Sequence, residues 1–377
     1  MRTNRGLVRA AAVLTAAFVV AGGVAGCAAG TGTRSDAACA RNRTPTGISA
    51  GTTPPATPSL PPSALPRADA ARLAIGVALD GGPLDAAVGA GLGRAAVDLG
   101  LPAGSTTKVT GSAADTDATR TTRLARLVTE GHDPVIAVGA AYAGAVQAVA
   151  AAHPDVRFAI VDDDSVILPN VTALVFAEEQ ASFLVGAAAA LKTMTCRIGF
   201  VGGAETPLEQ KSEAGYVQGA RAVAPGIRMD VGYVGRSGGP AAAAVAADMA
   251  HRQFGGGADI VYAAAGDASR GVFQAARATG DLAIGAVSDQ YAAAGSAAFR
   301  SAILTSALEH ADVAVRDYVE AVASGDVAGL PTRFGVEEGG VGYATSGGRI
   351  DDIVPDLQAY ETAIVRGTVK VSTTPAS

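Results

Sequence analysis

An alternation of short apolar runs and longer periodic stretches begins at Arg72 and limits the possible folds most strongly. The short runs place Val, Ile and Leu at consecutive positions, which is typical of strands buried on both faces of a parallel sheet. The longer stretches are rich in Ala and have the periodicity of helices. This order of strand, helix and strand predicts an α/β fold built from βαβ units.

The apolar runs predict strands at residues 73–78, 135–138, 158–161, 171–175, 198–201, 229–233, 260–264, 283–285 and 303–305. The periodic stretches predict helices at residues 86–99, 118–130, 141–152, 182–192, 208–223, 241–254, 271–279 and 311–323. With 48 glycines and no Trp, the chain has small side chains that let helices lie close to sheets.

The alternation runs once from residue 72 to about 177 and again from 197 to about 285, which predicts two similar lobes. Facing carboxyl ends of their strands would form a cleft of the kind where small ligands bind. The last hundred residues are expected to cross back between the lobes and to end in a helix and a strand within 356–371. The predicted boundaries are 72–177 with part of 286–325 for the N-terminal lobe, and 178–285 with part of 326–371 for the C-terminal lobe.

The first 26 residues have the three zones of a bacterial export signal. Arg2, Arg5 and Arg9 precede an apolar run, and small residues lead to Val24-Ala25-Gly26-Cys27. This ending resembles the lipobox of bacterial lipoproteins, whose cysteine is lipid-modified and becomes the first residue. We therefore predict a signal peptide over 1–26 and lipidation of Cys27. An ordinary signal peptide and an uncleaved membrane anchor stay open as alternatives.

Residues 27–71 are rich in Pro, Thr and Ser and lack apolar periodicity, which predicts a semi-extended tether. Several acyl chains on one cysteine give lasting attachment, so we expect the protein on the extracytoplasmic face of the cell membrane. Cleavage before Cys27 removes three arginines and no acids, so the formal charge of −6 becomes −9. No later segment is apolar over the length that a membrane span requires.

Two cysteines remain after Cys27, namely Cys39 in the tether and Cys196 in the body. Outside the cytoplasm they can form a disulfide. A tether cysteine that pairs across the body is the less expected arrangement, so we favour unpaired thiols and leave the pairing open.

Charge and motifs argue against several classes of function. The formal charge of −6 includes no basic stripe for a phosphate backbone, so nucleic-acid binding is not expected. The histidines and cysteines never fall at zinc spacing, and no P-loop or dinucleotide motif occurs, so we expect neither a metal nor a cofactor. The sequence at 235–239 formally matches a nucleophile elbow, but glycines and Pro240 delay the helix that an elbow starts at its serine. Without a nucleophile and base, an enzyme is not expected.

After residue 72 the chain carries an ordered set of short segments: HPDVRFAIVD at 153–162, SFLVG at 182–186, GFVGG at 199–203, GADIV at 257–261 and GVFQAA at 271–276. With the lipobox, this set resembles the basic membrane lipoprotein (PnrA-like) family of substrate-binding proteins, which serve ABC importers and include purine-nucleoside binders. The resemblance implies a type I periplasmic-binding fold. In that fold, two Rossmann-like lobes joined by three hinge crossings close over a ligand without catalysis.

The resemblance also implies ligand-binding positions at strand ends. Asp85 matches a ligand-facing aspartate of the first loop, although helix capping is an equal alternative for it. Asp162 matches the acid after Phe-Ala-Ile-Val, and glycines at two strand ends let backbone approach a ligand. The full set of predicted ligand-binding residues is Asp85, Gly139, Tyr142, Asp162, Gly266, Asp267, Asp289 and Gln290.

Several positions depart from the family pattern. Where the family has an aromatic residue that stacks on a base, followed by an asparagine, this chain has Val88 and Gly89. Where the family has a glutamate, an aspartate and a lysine, this chain has Gln180, Val287 and Glu309. A lost ring removes a stacking contact worth about 1–3 kcal/mol. The prediction of a purine nucleoside as the ligand is therefore less secure than the prediction of the fold. Tyr142 and Tyr291 are candidates to replace the ring, and packing beneath a loop is the favoured alternative for both.

The sequence thus predicts a monomeric, lipid-anchored, extracytoplasmic solute-binding protein. It would capture a small polar ligand by lobe closure and present it to an ABC permease. A sensory or structural lipoprotein that kept the scaffold without transport is the alternative from a different functional class. The altered positions are what keep this alternative open.

Overall fold

The computed structural model describes residues 40–45, 73–112, 114–235 and 239–375. The predicted signal peptide, Cys27, Cys39 and most of the predicted tether lie outside the described residues.

Five parallel strands form the first sheet, in the order β2-β1-β3-β4-β5. All residues of the strands β1, β3 and β4 are buried, as expected for strands that are covered on both faces. The strands are β1 (Ile75–Leu79), β2 (Thr106–Thr110), β3 (Val135–Val138), β4 (Phe158–Val161) and β5 (Val171–Leu174). The helices along this part are α1 (Asp85–Asp98), α2 (Asp117–Thr129) and α3 (Ala143–Ala152).

Six strands form the second sheet, in the order β11-β10-β9-β8-β6-β7, and β11 is antiparallel to β10. The strands are β6 (Arg197–Gly202), β7 (Arg228–Tyr233), β8 (Ile260–Ala264), β9 (Leu282–Gly285), β10 (Ile303–Glu309) and β11 (Val341–Tyr343). The helices are α4 (Glu178–Lys192), α5 (Pro207–Val223), α6 (Gly239–Gly255), α7 (Ser269–Thr279), α8 (Ala311–Ser324) and α9 (Val354–Val365). Short 3-10 helices lie at Ala140–Tyr142, Gly266–Ala268, Ala294–Ala302, Val327–Gly329 and Asp351–Ile353.

Two helix starts show how local sequence sets these boundaries. Thr116 and Thr206 precede α2 and α5, and each side chain accepts a hydrogen bond from the backbone N–H three residues later. Such a cap satisfies a donor that the first helical turn leaves free. Pro207, whose missing N–H costs nothing at that position, opens α5.

The chain passes between the two sheets at three places. Helix α4 leads from β5 of the first sheet to β6 of the second, whereas α8 follows β10 but packs against α1 beside the first sheet. After α8 the chain returns to β11, and on the way Phe334 forms a bridge with Phe176. The Phe334 N–H donates to the Val175 carbonyl (2.8 Å), and Arg333 forms an ion pair with the buried Glu179. Backbone hydrogen bonds and a charge pair therefore tie two of the connecting segments together.

Glycines set the distance between helices α4 and α5. A Cβ atom at Gly186, Gly215 or Gly219 would lie less than 3.0 Å from a backbone oxygen of the other helix. Since real Cβ atoms do not come that close, the two helices can keep this spacing only with glycine at these positions. The packing matters for the cavity described below because both helices contribute residues to its wall.

The α/β fold with two sheets of mainly parallel strands is confirmed, but three expectations about elements were wrong. Strand β2 was missed because its Thr-Thr-Lys-Val-Thr sequence lies partly exposed at a sheet edge. The three-residue edge strand β11 was too short to show a pattern. The strand expected after the last helix does not form. There the chain is held to α5 instead, and Gln218 Nε2 donates to the Lys370 carbonyl (2.9 Å).

The expectation of an unpaired Cys196 was also wrong, because this residue is disulfide-bonded. The chain's other cysteines, Cys27 and Cys39, lie outside the described residues. The described segment 40–45 packs against the body near this point. Arg41 Nε donates to the Ala190 carbonyl (3.0 Å), and the Asn42 N–H donates to the Val223 carbonyl (2.7 Å). Local composition could not reveal that this part of the tether returns to the body.

Within the described ranges, none of the helices combines the length and the apolar character needed to cross a bilayer.

Candidate functional site

A cavity of about 740 Å³ opens at the carboxyl ends of strands from both sheets. Its wall includes the Gly81–Pro83 loop after β1 and Asp162 after β4 on the side of the first sheet. The second sheet contributes residues at or just after the ends of β8, β9 and β10, and helices α4 and α5 contribute residues near their N-termini. The carboxyl ends of parallel strands are the usual position of ligand sites in such folds. The volume lies within the range typical of pockets for small molecules.

Asp162 turns the chain into the cavity at the end of β4. Its φ angle is +64°, a left-handed conformation that Asp adopts more readily than most residues. The Asp162 N–H donates to the Leu174 carbonyl (2.9 Å), which holds this turn against β5. The strand end therefore fixes the position of the carboxyl group.

Three carboxyl groups in the wall interact electrostatically, and we call Asp162, Glu178 and Glu309 the carboxylate cluster. Burial, followed by the charge of Glu178, raises the pKa of Asp162 to about 7. Burial, followed by the charges of Asp162 and Glu178, raises the pKa of Glu309 well above its usual range. Near neutral pH the cluster therefore retains protons that exposed carboxyl groups would have lost.

Glu178 is the only member of the cluster that forms ion pairs with basic side chains of the described residues, although Lys211 also lowers the pKa of Asp162. Burial raises the pKa of Glu178, and Lys211 and Arg333 oppose that effect. Lys211 Nζ lies 3.8 Å and Arg333 Nη2 lies 3.7 Å from Glu178 Oε2. Both distances exceed a hydrogen bond. The Oε2 atoms of Glu178 and Glu309 are buried and have no hydrogen-bond partner among the described residues.

Other polar groups of the wall are already paired with one another. Gln290 donates from Nε2 to Ser288 Oγ (3.1 Å), and Ser296 Oγ donates to Gln290 Oε1 (3.1 Å). The hydroxyl groups of Ser182 and Tyr262 lie 3.2 Å apart. These groups already have hydrogen-bond partners within the protein. The buried Oε2 atoms of Glu178 and Glu309, in contrast, have none among the described residues.

Two phenylalanine rings provide an apolar part of the wall. The ring centroids of Phe273 and Phe299 are 6.4 Å apart, and the Arg270 guanidinium carbon lies 5.3 Å from the centroid of Phe299. A ligand with a carbon skeleton can therefore pack against apolar surface at one part of the cavity and reach carboxyl groups at another.

Four of the eight predicted ligand-binding residues line this cavity: Asp162, Gly266, Asp267 and Gln290. Gly266 has φ +53°, so glycine at this loop relieves backbone strain beside the cavity. The structure therefore brings together residues that the sequence separates by more than a hundred positions.

The other four predicted residues do not line the cavity. Tyr142 is fully buried, accepts a hydrogen bond from Arg123 Nη1 (2.7 Å) and donates to the Leu79 carbonyl (3.3 Å), so it packs in the core and cannot replace a stacking ring. Asp289 Oδ1 accepts from the Tyr291 N–H (3.0 Å) and Ser346 Oγ (2.7 Å), which makes it a turn-stabilising group. Tyr291 is also absent from the wall.

Asp85 and Gly139 do not line the cavity but lie against Gly81 and Asp80, at the start of the loop after β1. Asp85 Oδ2 accepts from the Gly81 N–H (3.0 Å), which supports the lining loop, while its Oδ1 is buried without a hydrogen-bond partner among the described residues. Asp85 is the first residue of α1 rather than its N-cap. A Cβ atom at Gly139, where φ is +89°, would lie less than 3.0 Å from a carboxylate oxygen of Asp80.

Most residues of the wall carry no signal of ligand binding in the sequence. Glu178, Glu209, Ser182 and Ser212 lie in helices, where a lone polar residue gives no signal of a ligand contact. Glu309 was noted only as a departure from a family pattern. The rings of Tyr262, Phe273 and Phe299 belong to apolar segments that indicate core packing. Glu309 ends β10, but the predicted strand stops at 305, so even a search for acids directly after predicted strands would have missed it.

The described residues include no group of three or more His, Cys, Asp or Glu side chains arranged to hold a metal ion. The carboxylate cluster does not form such a group.

Two sheets of mainly parallel strands, three connecting segments and a cavity at the facing strand ends define the class of periplasmic-type solute-binding folds. A solute-binding protein of an ABC transporter system from Conexibacter woesei has this fold. It superposes with a TM-score of 0.63 at 23% identity, over 80% of this chain and 99% of that chain.

The family model for the PnrA-like substrate-binding proteins of ABC transporters matches residues 79–374, so the chain belongs to this family. A CD4+ T-cell-stimulating antigen from Listeria monocytogenes is 30% identical over 267 residues, which are 67% of this chain and 74% of the relative. An ABC transporter nucleoside-binding protein, BmpA, from Lactococcus lactis subsp. cremoris is 36% identical over 149 residues, which are 40% of this chain and 42% of that protein.

Proposed function

We propose that this chain is the lipid-anchored solute-binding protein of an ABC importer and that it captures a small polar ligand in the cavity between its two sheets. The observation that carries this proposal is the cavity of about 740 Å³ at the facing strand ends, lined by buried carboxyl groups without hydrogen-bond partners among the described residues. Buried polar groups left unsatisfied by the chain are suited to a ligand that supplies the missing donors.

The two lobes would follow the predicted boundaries, with 72–177 and part of 286–325 in one and 178–285 and part of 326–371 in the other. Support comes from the division of the strands between two sheets and from α8, which packs beside the first sheet. Ligand contacts from both sides would favour the closed form, because a ligand shifts the equilibrium by its differential affinity.

Export and lipidation at Cys27 would hold the protein on the outer face of the cell membrane, within reach of a permease. This part of the proposal is supported by the lipobox-like sequence at the end of an apolar leader. We further propose that the protein is not an enzyme and that it acts as a monomer, since its family consists of binding proteins.

Purine nucleosides are the first ligands to test, because one similar protein is named as nucleoside-binding. The experiment is a thermal-shift titration of the mature chain, with Cys27 replaced by Ser to prevent lipidation, against nucleosides, sugars, amino acids and amines. A ligand at a hundred times its Kd stabilises the folded state by about 2.7 kcal/mol. No shift from any of these classes would contradict the proposed function.

A further inference from the structure

We propose that the ligand of this cavity is an organic cation whose protonated amine is held by the carboxylate cluster of Asp162, Glu178 and Glu309. The inference rests on the proposed function, because it names the class of solute that the cavity takes. It comes from the charge balance and the free carboxylate oxygens of the cavity wall.

The wall carries many more acids than bases. Its acidic residues are Asp162, Glu178, Glu209, Asp267 and Glu309, whereas Arg270 is its one basic residue among the described side chains. Arg270 is exposed and lies over the Phe299 ring. No basic side chain of the described ranges forms an ion pair with Asp162 or Glu309.

A cation fits this arrangement better than a neutral or anionic ligand. The Oε2 atoms of Glu178 and Glu309 are buried acceptors, and an ammonium group supplies three donors. It also relieves the repulsion among the three carboxyl groups, which a neutral hydroxyl group does not. An anion would add to that repulsion and leave both acceptors unpaired.

The rest of the wall suggests what the cation carries. Phe273 and Phe299 offer apolar surface. Ser288 and Ser296 are bonded to Gln290, but the Ser288 hydroxyl group can still donate and the Ser296 hydroxyl group can still accept. The ligand would then combine one ammonium group with a carbon skeleton and hydroxyl groups. Amino sugars and amino nucleosides have this chemistry and are small enough for a cavity of about 740 Å³.

The first test uses pairs of compounds that differ in one charged group. Isothermal titration of the mature Cys27→Ser chain compares 3′-amino-3′-deoxyadenosine with adenosine, D-glucosamine with D-glucose, and 4-amino-1-butanol with 1,4-butanediol. For the pair that fits the cavity, we expect the cation to bind at least ten times more tightly, since a hydrogen bond to a charged group contributes about that factor or more. Equal or tighter binding of the neutral member would overturn the inference.

The second test is proton linkage. Groups that influence the cluster include the acids Asp80 and Asp163, the base Lys211, the Arg333 guanidinium near Glu178 and the Tyr262 hydroxyl. A bound cation lowers the pKa of the nearby carboxyl groups. Binding of 4-amino-1-butanol, whose alkyl amine stays protonated over this range as a Lys side chain does, should therefore release protons, and its affinity should rise from pH 6 to pH 8. Titration in two buffers of different ionisation enthalpy measures the proton count. Proton uptake would mean that a protonated carboxyl group donates to a neutral ligand, contrary to the inference.

A matched pair of variants places the effect in the cavity. Glu309→Gln keeps the shape and removes the charge that this carboxyl group carries when a cation is bound, so the affinity for the cation should fall at least tenfold while the affinity for its neutral partner changes less than threefold. Glu361→Gln removes another carboxyl group, on α9, whose pKa is raised by burial to about 7, and should leave both affinities unchanged. Equal losses for the cation and the neutral compound in Glu309→Gln would contradict a charge-specific contact.

The outcomes separate this inference from the proposed function. Neutral nucleosides or sugars that bind while all three cations fail would overturn the inference and leave a solute-binding protein. Failure of every compound to bind would contradict both.

Discussion

Replacement of Asp162 by Asn should make the ligand-free protein more stable, and the gain should depend on pH. In the unfolded chain this carboxyl group ionises near pH 3.8, whereas burial and the charge of Glu178 raise its pKa to about 7 in the folded protein. Between these values the unfolded state releases a proton that the folded state retains. Stability therefore falls as pH rises from about 4 to about 7. Asn keeps the left-handed backbone conformation accessible and cannot ionise.

The size of the effect follows from the two pKa values. A tenfold change in proton affinity corresponds to about 1.4 kcal/mol, so the ionised Asp162 costs the folded state about 4 kcal/mol above pH 7. The carboxamide is itself desolvated in the cavity wall, which reduces the gain. We expect Asp162→Asn to raise the free energy of unfolding by about 2–4 kcal/mol at pH 8 and by less than about 1 kcal/mol at pH 4.

Urea unfolding at pH 4, 6 and 8, without ligand, measures this difference. Asp164→Asn is the control, because it removes the same charge from an exposed position of the same loop. It should change stability by less than about 0.5 kcal/mol at each pH. A gain of the same size at all three pH values, or a loss of stability at pH 8, would show that the buried carboxyl group does not carry the cost assigned to it.

Three further changes test the packing around the cavity. Gly219→Ala should destabilise the protein by about 1–3 kcal/mol, because its Cβ meets a backbone oxygen of α4, whereas Gly93→Ala on exposed α1 surface should stabilise it by about 0.4–1 kcal/mol. If the close helix contact were unimportant, thermal unfolding would show that both substitutions change the stability in the same direction. Arg333→Ala leaves the buried Glu179 without its ion-pair partner and should cost about 3–5 kcal/mol in urea unfolding; a loss below about 1 kcal/mol would contradict the pairing. Reduction of the disulfide at Cys196 should cost about 2–4 kcal/mol, and an unchanged Tm under dithiothreitol would refute a stabilising role.

Local pattern was a good guide to the elements that are buried on both faces. The strands Val135–Val138, Phe158–Val161 and Ile260–Ala264 were predicted at their observed bounds, because consecutive apolar residues carry the signal by themselves. The edge strands Thr106–Thr110 and Val341–Tyr343 were missed. One is half polar and the other is very short, and each forms because a neighbouring strand offers free backbone groups.

The candidate site was less predictable than the fold. Asp162 and Gly266 could be placed in it because they lie at the ends of buried strands and match the family pattern. Tyr142 also lies shortly after a buried strand and was a candidate to replace the missing ring, yet its ring turns into the core and hydrogen-bonds there. A strand end identifies which residues are near a cleft, but side-chain direction depends on the neighbours that fill the adjacent space.

By itself, the sequence determined the α/β class, the two runs of alternating elements and the ends of the buried strands, since these follow from residue type and spacing along the chain. The tertiary structure alone decided that Asp162, Glu178 and Glu309 share one cavity, and that Cys196 is disulfide-bonded. Electrostatic coupling depends on distance and burial. Residues far apart in the chain acquire both only when the two sheets and their connecting segments have packed together.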